Sequence, residues 1–458
     1  MRVNRRVFLG GGIAASYWAC KRVALAGAPA PPEGVRLFEA APASAQIAAP
    51  PAPATRVLSY NGASPGPLLR LRKGEELALR LANRLDEGTT LSFPGLRTAN
   101  AAAGIGGLTQ PPTAPGADLE LRFTPPDSGF NLYLPDAGGA TARQIGSGLF
   151  GPIVVEEASP PAADVEAIVV VADWRLDERS EIKDDFSDPT VTRAAGRLGG
   201  LVTANAAPAP LTLTPAPGAR VRLRLANAAT ARVMSIGVGG VKPLIVAVDG
   251  QPSEPFEPLR NVFPMGPGAR FELMFDMPRE AGAAVSFILR GGEAAAIPGE
   301  VDRPMIVFDA EGEALAARPA IAGLAANPLL PTEIALERAK RVDLTIEGGG
   351  AAPFTLNGAS FSDWGVKPLF AAPRGAPVTL GFVNKTAATQ AIRLGGHVGR
   401  LLHALDDGWE PYWRDTILVA PGHTAHLAFV ADNPGKWPIA SAIPEHRAAG
   451  VGGWFQVG

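Results

Sequence analysis

The chain has 458 residues, 47% hydrophobic and 19% charged, with a formal net charge of -2. This is ordinary globular composition, enough for about three domains of ~150 residues, and it excludes a disordered chain. The first 30 residues hold five basic residues and no acidic one, so the remainder carries about -7 and offers no basic footprint for nucleic acid.

The chain opens on Asn4-Arg5-Arg6-Val7-Phe8-Leu9, a twin-arginine pattern, followed by an uncharged stretch to Cys20. Lys21 and Arg22 then precede small-x-small cleavage sites ending at Ala26 and Ala28. Basic residues after a short, Gly-rich apolar region favour the twin-arginine route, with Arg5 and Arg6 as the export signal and residues 1–28 as the signal peptide. The expected destination is the periplasm. The apolar stretch is too short to span a bilayer, and no other long one follows, so the mature chain is expected to have no transmembrane segment. Cys20 is the only cysteine, and Tyr17-Trp18-Ala19 before it makes a poor lipid-attachment motif. The mature chain therefore has no thiol and no disulfide.

Beyond the leader, one unit recurs three times. Gly74 leads to Leu77, Leu79, Leu81 and Asn83; Gly218 to Val221, Leu223, Leu225 and Asn227; Gly375 to Val378, Leu380, Phe382 and Asn384. Apolar residues at period two predict half-buried strands. A second anchor, a Pro-Gly turn before a strand, occurs at Pro115-Gly116, Pro267-Gly268 and Pro421-Gly422. Two anchors recurring in one order at intervals of 144 to 157 residues suit whole β-sandwich domains. Domains are placed at 33–158, 159–313 and 326–458, joined by Ala/Pro-rich linkers, with few short helices.

The stretch from Tyr60 to Gly74, the run Gly148-Leu-Phe-Gly-Pro-Ile-Val-Val-Glu, Asp407-Gly-Trp-Glu-Pro-Tyr-Trp-Arg-Asp-Thr and Asn433-Pro-Gly-Lys-Trp resemble landmarks of the multicopper oxidase superfamily. The resemblance covers essentially all of the mature chain. It implies an all-β fold of three consecutive cupredoxin-like Greek-key sandwiches. It also implies a blue copper in the third domain and a three-copper cluster between the first and third.

The family holds its cluster through four His-x-His pairs. At the matching positions this chain has Ser92 and Pro94, Leu134 and Asp136, Arg393 and Gly395, and Ala440 and Ala442. The blue-copper positions read Gln390, Ser441, His446 and Val451, so only His446 stands at a type 1 ligand position. A blue copper needs a His₂Cys set. A guanidinium at Arg393 is always cationic and repels a metal. Counting agrees, because the chain has five histidines, His397, His403, His423, His426 and His446, all near its C-terminus.

Other candidates are weaker. His397, His403 and His446 are adventitious metal candidates. His423 and His426 begin a predicted strand on opposite faces. Asp184, Asp185 and Asp188 form an acidic group without calcium-loop spacing. The expectation is a copper-free pseudo-oxidase, not an enzyme and without a cofactor. It would act as a binding or stabilising scaffold with a periplasmic or divisome partner, similar to the copper-free SufI-type division proteins of this superfamily. One alternative is a copper-dependent, laccase-like oxidoreductase with atypical ligands. Another is a small-molecule binder using the cluster cavity, lined by Ser92, Asp136, Arg393 and His446.

Overall fold

The computed structural model describes residues 34–403 and 408–458; the twin-arginine leader lies outside the described residues. The strand Leu77–Asn83 buries Leu77, Leu79 and Leu81 completely, each such leucine contributing about 1.5–3 kcal/mol. Its counterparts are Arg220–Asn227 and Ala376–Asn384. Each has a parallel neighbour on one side: Arg36–Ala45, Val165–Trp174 or Lys340–Gly349. Each has an antiparallel neighbour on the other: Asp118–Phe123, Arg270–Asp276 or Thr424–Ala431.

The recurring asparagine is a staple between the two repeated anchors. Asn83 donates from its amide to Glu87 O and Thr113 O and accepts from Leu85 N. Asn227 donates to Arg232 O and Met265 O and accepts from Ala229 N. Asn384 donates to Ala388 O and Val419 O and accepts from Thr386 N. All three are fully buried. Their backbone carbonyls accept from Gly116, Gly268 and Gly422, the turn glycines of the second anchor, at 2.9, 2.7 and 2.9 Å. These glycines have φ between +73° and +78°, a left-handed conformation that glycine adopts without strain.

Six sheets result, in three pairs along the chain: four and three strands, then seven and five, then five and five. The fold is mostly β. The α-helices among the described residues are Thr141–Gly146, Pro189–Thr192 and Pro444–Ala448. Each pair of sheets encloses its own apolar core.

The pairs are joined closely. Ala103 and Ile105 of the N-terminal part pack into the C-terminal core. Asn100 donates to Lys436 O at 2.6 Å, and Trp364 Nε1 to Gly106 O at 3.0 Å. Two of the three strands depart from the half-buried expectation: Leu77–Asn83 buries every residue but Arg80, and all eight residues of Arg220–Asn227 are buried. Arg222 and Arg224 lie beneath Glu157, Glu166 and Glu272, which pair with their guanidinium groups.

Candidate functional site

The positions singled out from the sequence fall in two places. Ser92 and Leu134 form a two-way backbone bridge, and Ser92 Oγ donates to Leu134 O at 2.7 Å. Arg393, on the strand Gln390–Leu394, lies opposite Ala440, on the strand Gly435–Ser441. Ser92, Pro94 and Asp136 from the N-terminal part then face Arg393, Gly395 and Trp437 around one cavity of about 50 Å³. Asp136 is already paired there, with Arg447 at 2.9 Å.

The second place surrounds His446, on the helix Pro444–Ala448. Its Nδ1 lies 3.2 Å from Gln390 Oε1 and its Nε2 lies 3.0 Å from Ala194 O. Burial pushes its pKa down to about 4, so the ring is neutral near pH 7. Ser441 Oγ donates to Ala391 O at 3.3 Å and accepts from Ile443 N. Val451 is fully buried and accepts from Ser441 N through its carbonyl.

The remaining histidines do not join it. His397 is buried among Phe429, Trp437 and Phe455, with Nδ1 against Gly395 O and Nε2 accepting from Asn433 N. His403 lines a separate cleft between the central and C-terminal sandwiches. His423 and His426 are exposed. Asp185 pairs with Arg175 and Arg197, and Asp188 caps the helix Pro189–Thr192. Among the described residues, no group of three or more His, Cys, Asp or Glu side chains is placed to hold a metal ion.

Sequence reasoning missed a buried charge network at the meeting of the three sandwiches. Arg270 donates to both oxygens of Asp415, to Asn131 Oδ1 at 3.1 Å and to Asp249 O at 2.9 Å. Asp249 accepts from the backbone of Arg270, Asp415 and Thr416. Burial, with the neighbouring Asp415 charge adding to it, raises Asp249 to about 6. Nearby, Arg97 bridges Asp127 and Asp432 at 2.7 and 2.8 Å. No local sequence signal marks it: Arg270 opens a repeated strand, but Asp249 and Asp415 lie in the connections outside the strands.

The full donor set of the inherited copper sites does not fit these residues. A cluster copper needs several imidazoles with free lone pairs. Here a guanidinium and a paired carboxylate stand at the cavity, and both ring nitrogens of His446 face protein oxygens.

Residues 43–160 and 333–458 each match a family model described as multicopper oxidase. The chain belongs to the multicopper oxidase superfamily. It is 27% identical to the multicopper oxidase MmcO of Mycobacterium tuberculosis, over 98% of this chain and 96% of that protein. It is 24% identical to Laccase-1 of Botryotinia fuckeliana, over 86% of this chain and 77% of that one. The crystal structure of a multicopper oxidase from Pseudomonas thermotolerans superimposes with a TM-score of 0.81 at 29% identity, covering 92% of this chain and 98% of that one.

These relatives correct three expectations. A non-enzymatic scaffold, a pseudo-oxidase and a chain without a cofactor all conflict with kinship, over nearly the whole length, to proteins named as copper oxidases and laccases. The expectation rested on the residue types at the inherited positions and on a histidine count, and kinship over nearly the whole chain overturns it. The superfamily and the all-β fold agree with the sequence reading. Nothing in the relatives bears on the periplasmic or divisome partner. Among the described residues, no helix is long and apolar enough to cross a membrane.

Proposed function

We propose that this protein is a laccase-like oxidoreductase of the multicopper oxidase superfamily. In this reading it is copper-dependent, with atypical ligands in place of the His-x-His pairs. The observation that carries it is kinship with a multicopper oxidase across 98% of this chain and 96% of the relative. Three pairs of sheets in sequence support domain limits at 33–158, 159–313 and 326–458. Arg5 and Arg6 in the leader support export to the periplasm by the twin-arginine route.

The test is an oxidase assay on the exported, mature chain made with added copper and dialysed. Dioxygen uptake driven by a phenol, above that of free copper ion at equal concentration, is the expected result. Uptake no greater than the free-ion control overturns the reading.

A further inference from the structure

The cavity between the N- and C-terminal sandwiches holds a cation that, among the described residues, makes no hydrogen bond to a carboxylate. Arg393 lines it, together with Ser92, Pro94, Asp136, Gly395 and Trp437. Among the described residues the guanidinium makes one hydrogen bond to protein, from Nη2 to Pro267 O at 3.3 Å, and its buried Nε has no partner.

Every carboxylate near Arg393 is engaged elsewhere. Asp136 pairs with Arg447 at 2.9 Å. Asp415 takes two hydrogen bonds from Arg270, and Asp249 accepts from three backbone N–H groups. Burial lowers the Arg393 pKa from its ordinary value, yet an arginine stays protonated in proteins. A histidine or lysine in such a place would shed its proton; arginine has to find an anion.

The room for one is at hand. The cavity is about 50 Å³, and a water needs only ~10–15 Å³ by this measure. Arg393, Pro94, Gly95, Gly395 and Gly396 all keep some accessible surface although they sit between two sandwiches, consistent with their walling the cavity. The glycines leave the space open: a Cβ on Gly395 would press on Pro438, and one on Gly396 on Trp437.

We infer that this cavity binds a small inorganic monoanion, of the size of chloride or nitrate, held by Arg393 as a structural ligand of the joint between the outer sandwiches. Phosphate esters and organic acids are too large for the space. The planar guanidinium and the enclosed setting suit a compact anion.

The test compares the mature full-length protein in sodium chloride, sodium bromide or sodium nitrate with sodium gluconate at matched ionic strength. Gluconate is too large to enter. Wild type should show a saturable rise in Tm with the small anions. Arg393→Gln should lose that rise, and Arg393→Lys should keep part of it. No small-anion effect in wild type, or an equal effect in Arg393→Gln, overturns the inference. Should Arg393→Gln fail to fold, wild-type crystals soaked in bromide decide. An anomalous peak against the guanidinium supports the site, and water alone there overturns it.

Discussion

Arg270 of the central sandwich grips Asp415 of the C-terminal one through two parallel hydrogen bonds. Nη1 to Oδ1 measures 3.1 Å and Nη2 to Oδ2 measures 2.7 Å, with both side chains about 1% exposed. The same guanidinium reaches Asn131 of the N-terminal sandwich. One side chain thus fixes three bodies. Removing one member of a buried pair leaves the other charge uncompensated, at a cost of about 3–5 kcal/mol. Arg270→Met should destabilise the protein by that order in denaturant unfolding. Arg270→Met with Asp415→Leu should recover part of the loss. A single variant within about 0.5 kcal/mol of wild type, the range of ordinary surface changes, would refute the keystone role.

The three asparagine staples predict a graded effect of chemistry at one position. Asn227→Ala removes two donors and one acceptor from buried backbone partners. Leaving those groups unpaired should cost roughly 2–4 kcal/mol. Asn227→Asp keeps the acceptor for Ala229 N but replaces the donating amide nitrogen with one carboxylate oxygen facing two carbonyls, so it should not rescue. Thermal unfolding of the two variants checks this; a stable Asp variant would contradict the staple.

His397 gives a pH dependence with a definite sign. Burial pushes its pKa down to about 4 in the folded protein, from 6.5. The unfolded chain therefore binds more protons between those values, and stability rises with pH across them. The contribution is fully present above about pH 6.5 and is lost as pH falls toward 4, on the order of 3 kcal/mol in all. Wild type should lose Tm more steeply than His397→Gln over that window. Parallel curves for the two proteins would show that His397 is not held neutral.

Gly396 has φ of +65°, and a Cβ there would stand inside contact distance of the buried Trp437 ring. Gly396→Ala combines overpacking with a left-handed backbone and should cost at least about 1–3 kcal/mol. Tryptophan fluorescence during unfolding reports it directly. An alanine variant as stable as wild type would mean that the joint beside the cavity is looser than described.

Much of the frame was legible in the chain. Leu77, Leu79 and Leu81, with their counterparts around Leu223 and Leu380, announce strands because large apolar side chains recur at every second residue, although in the first two strands the residues between them are buried as well. Asn83, Asn227 and Asn384 recur because each staple needs both an acceptor and two donors on one short side chain. The charge network was not legible. Asp415, Asp249 and Arg270 look like solvated residues until distant strands meet and exclude water from them. The function was misjudged for a related reason. Five histidines, all near the C-terminus, speak to the family's ligand set; they do not speak to activity, on which kinship over nearly the whole chain weighs more.

Copper content tests the proposed function most directly. The mature protein, made in copper-replete medium and exhaustively dialysed, should retain at least one copper per chain. Metal-free protein after that treatment would contradict the assignment of a copper-dependent oxidoreductase.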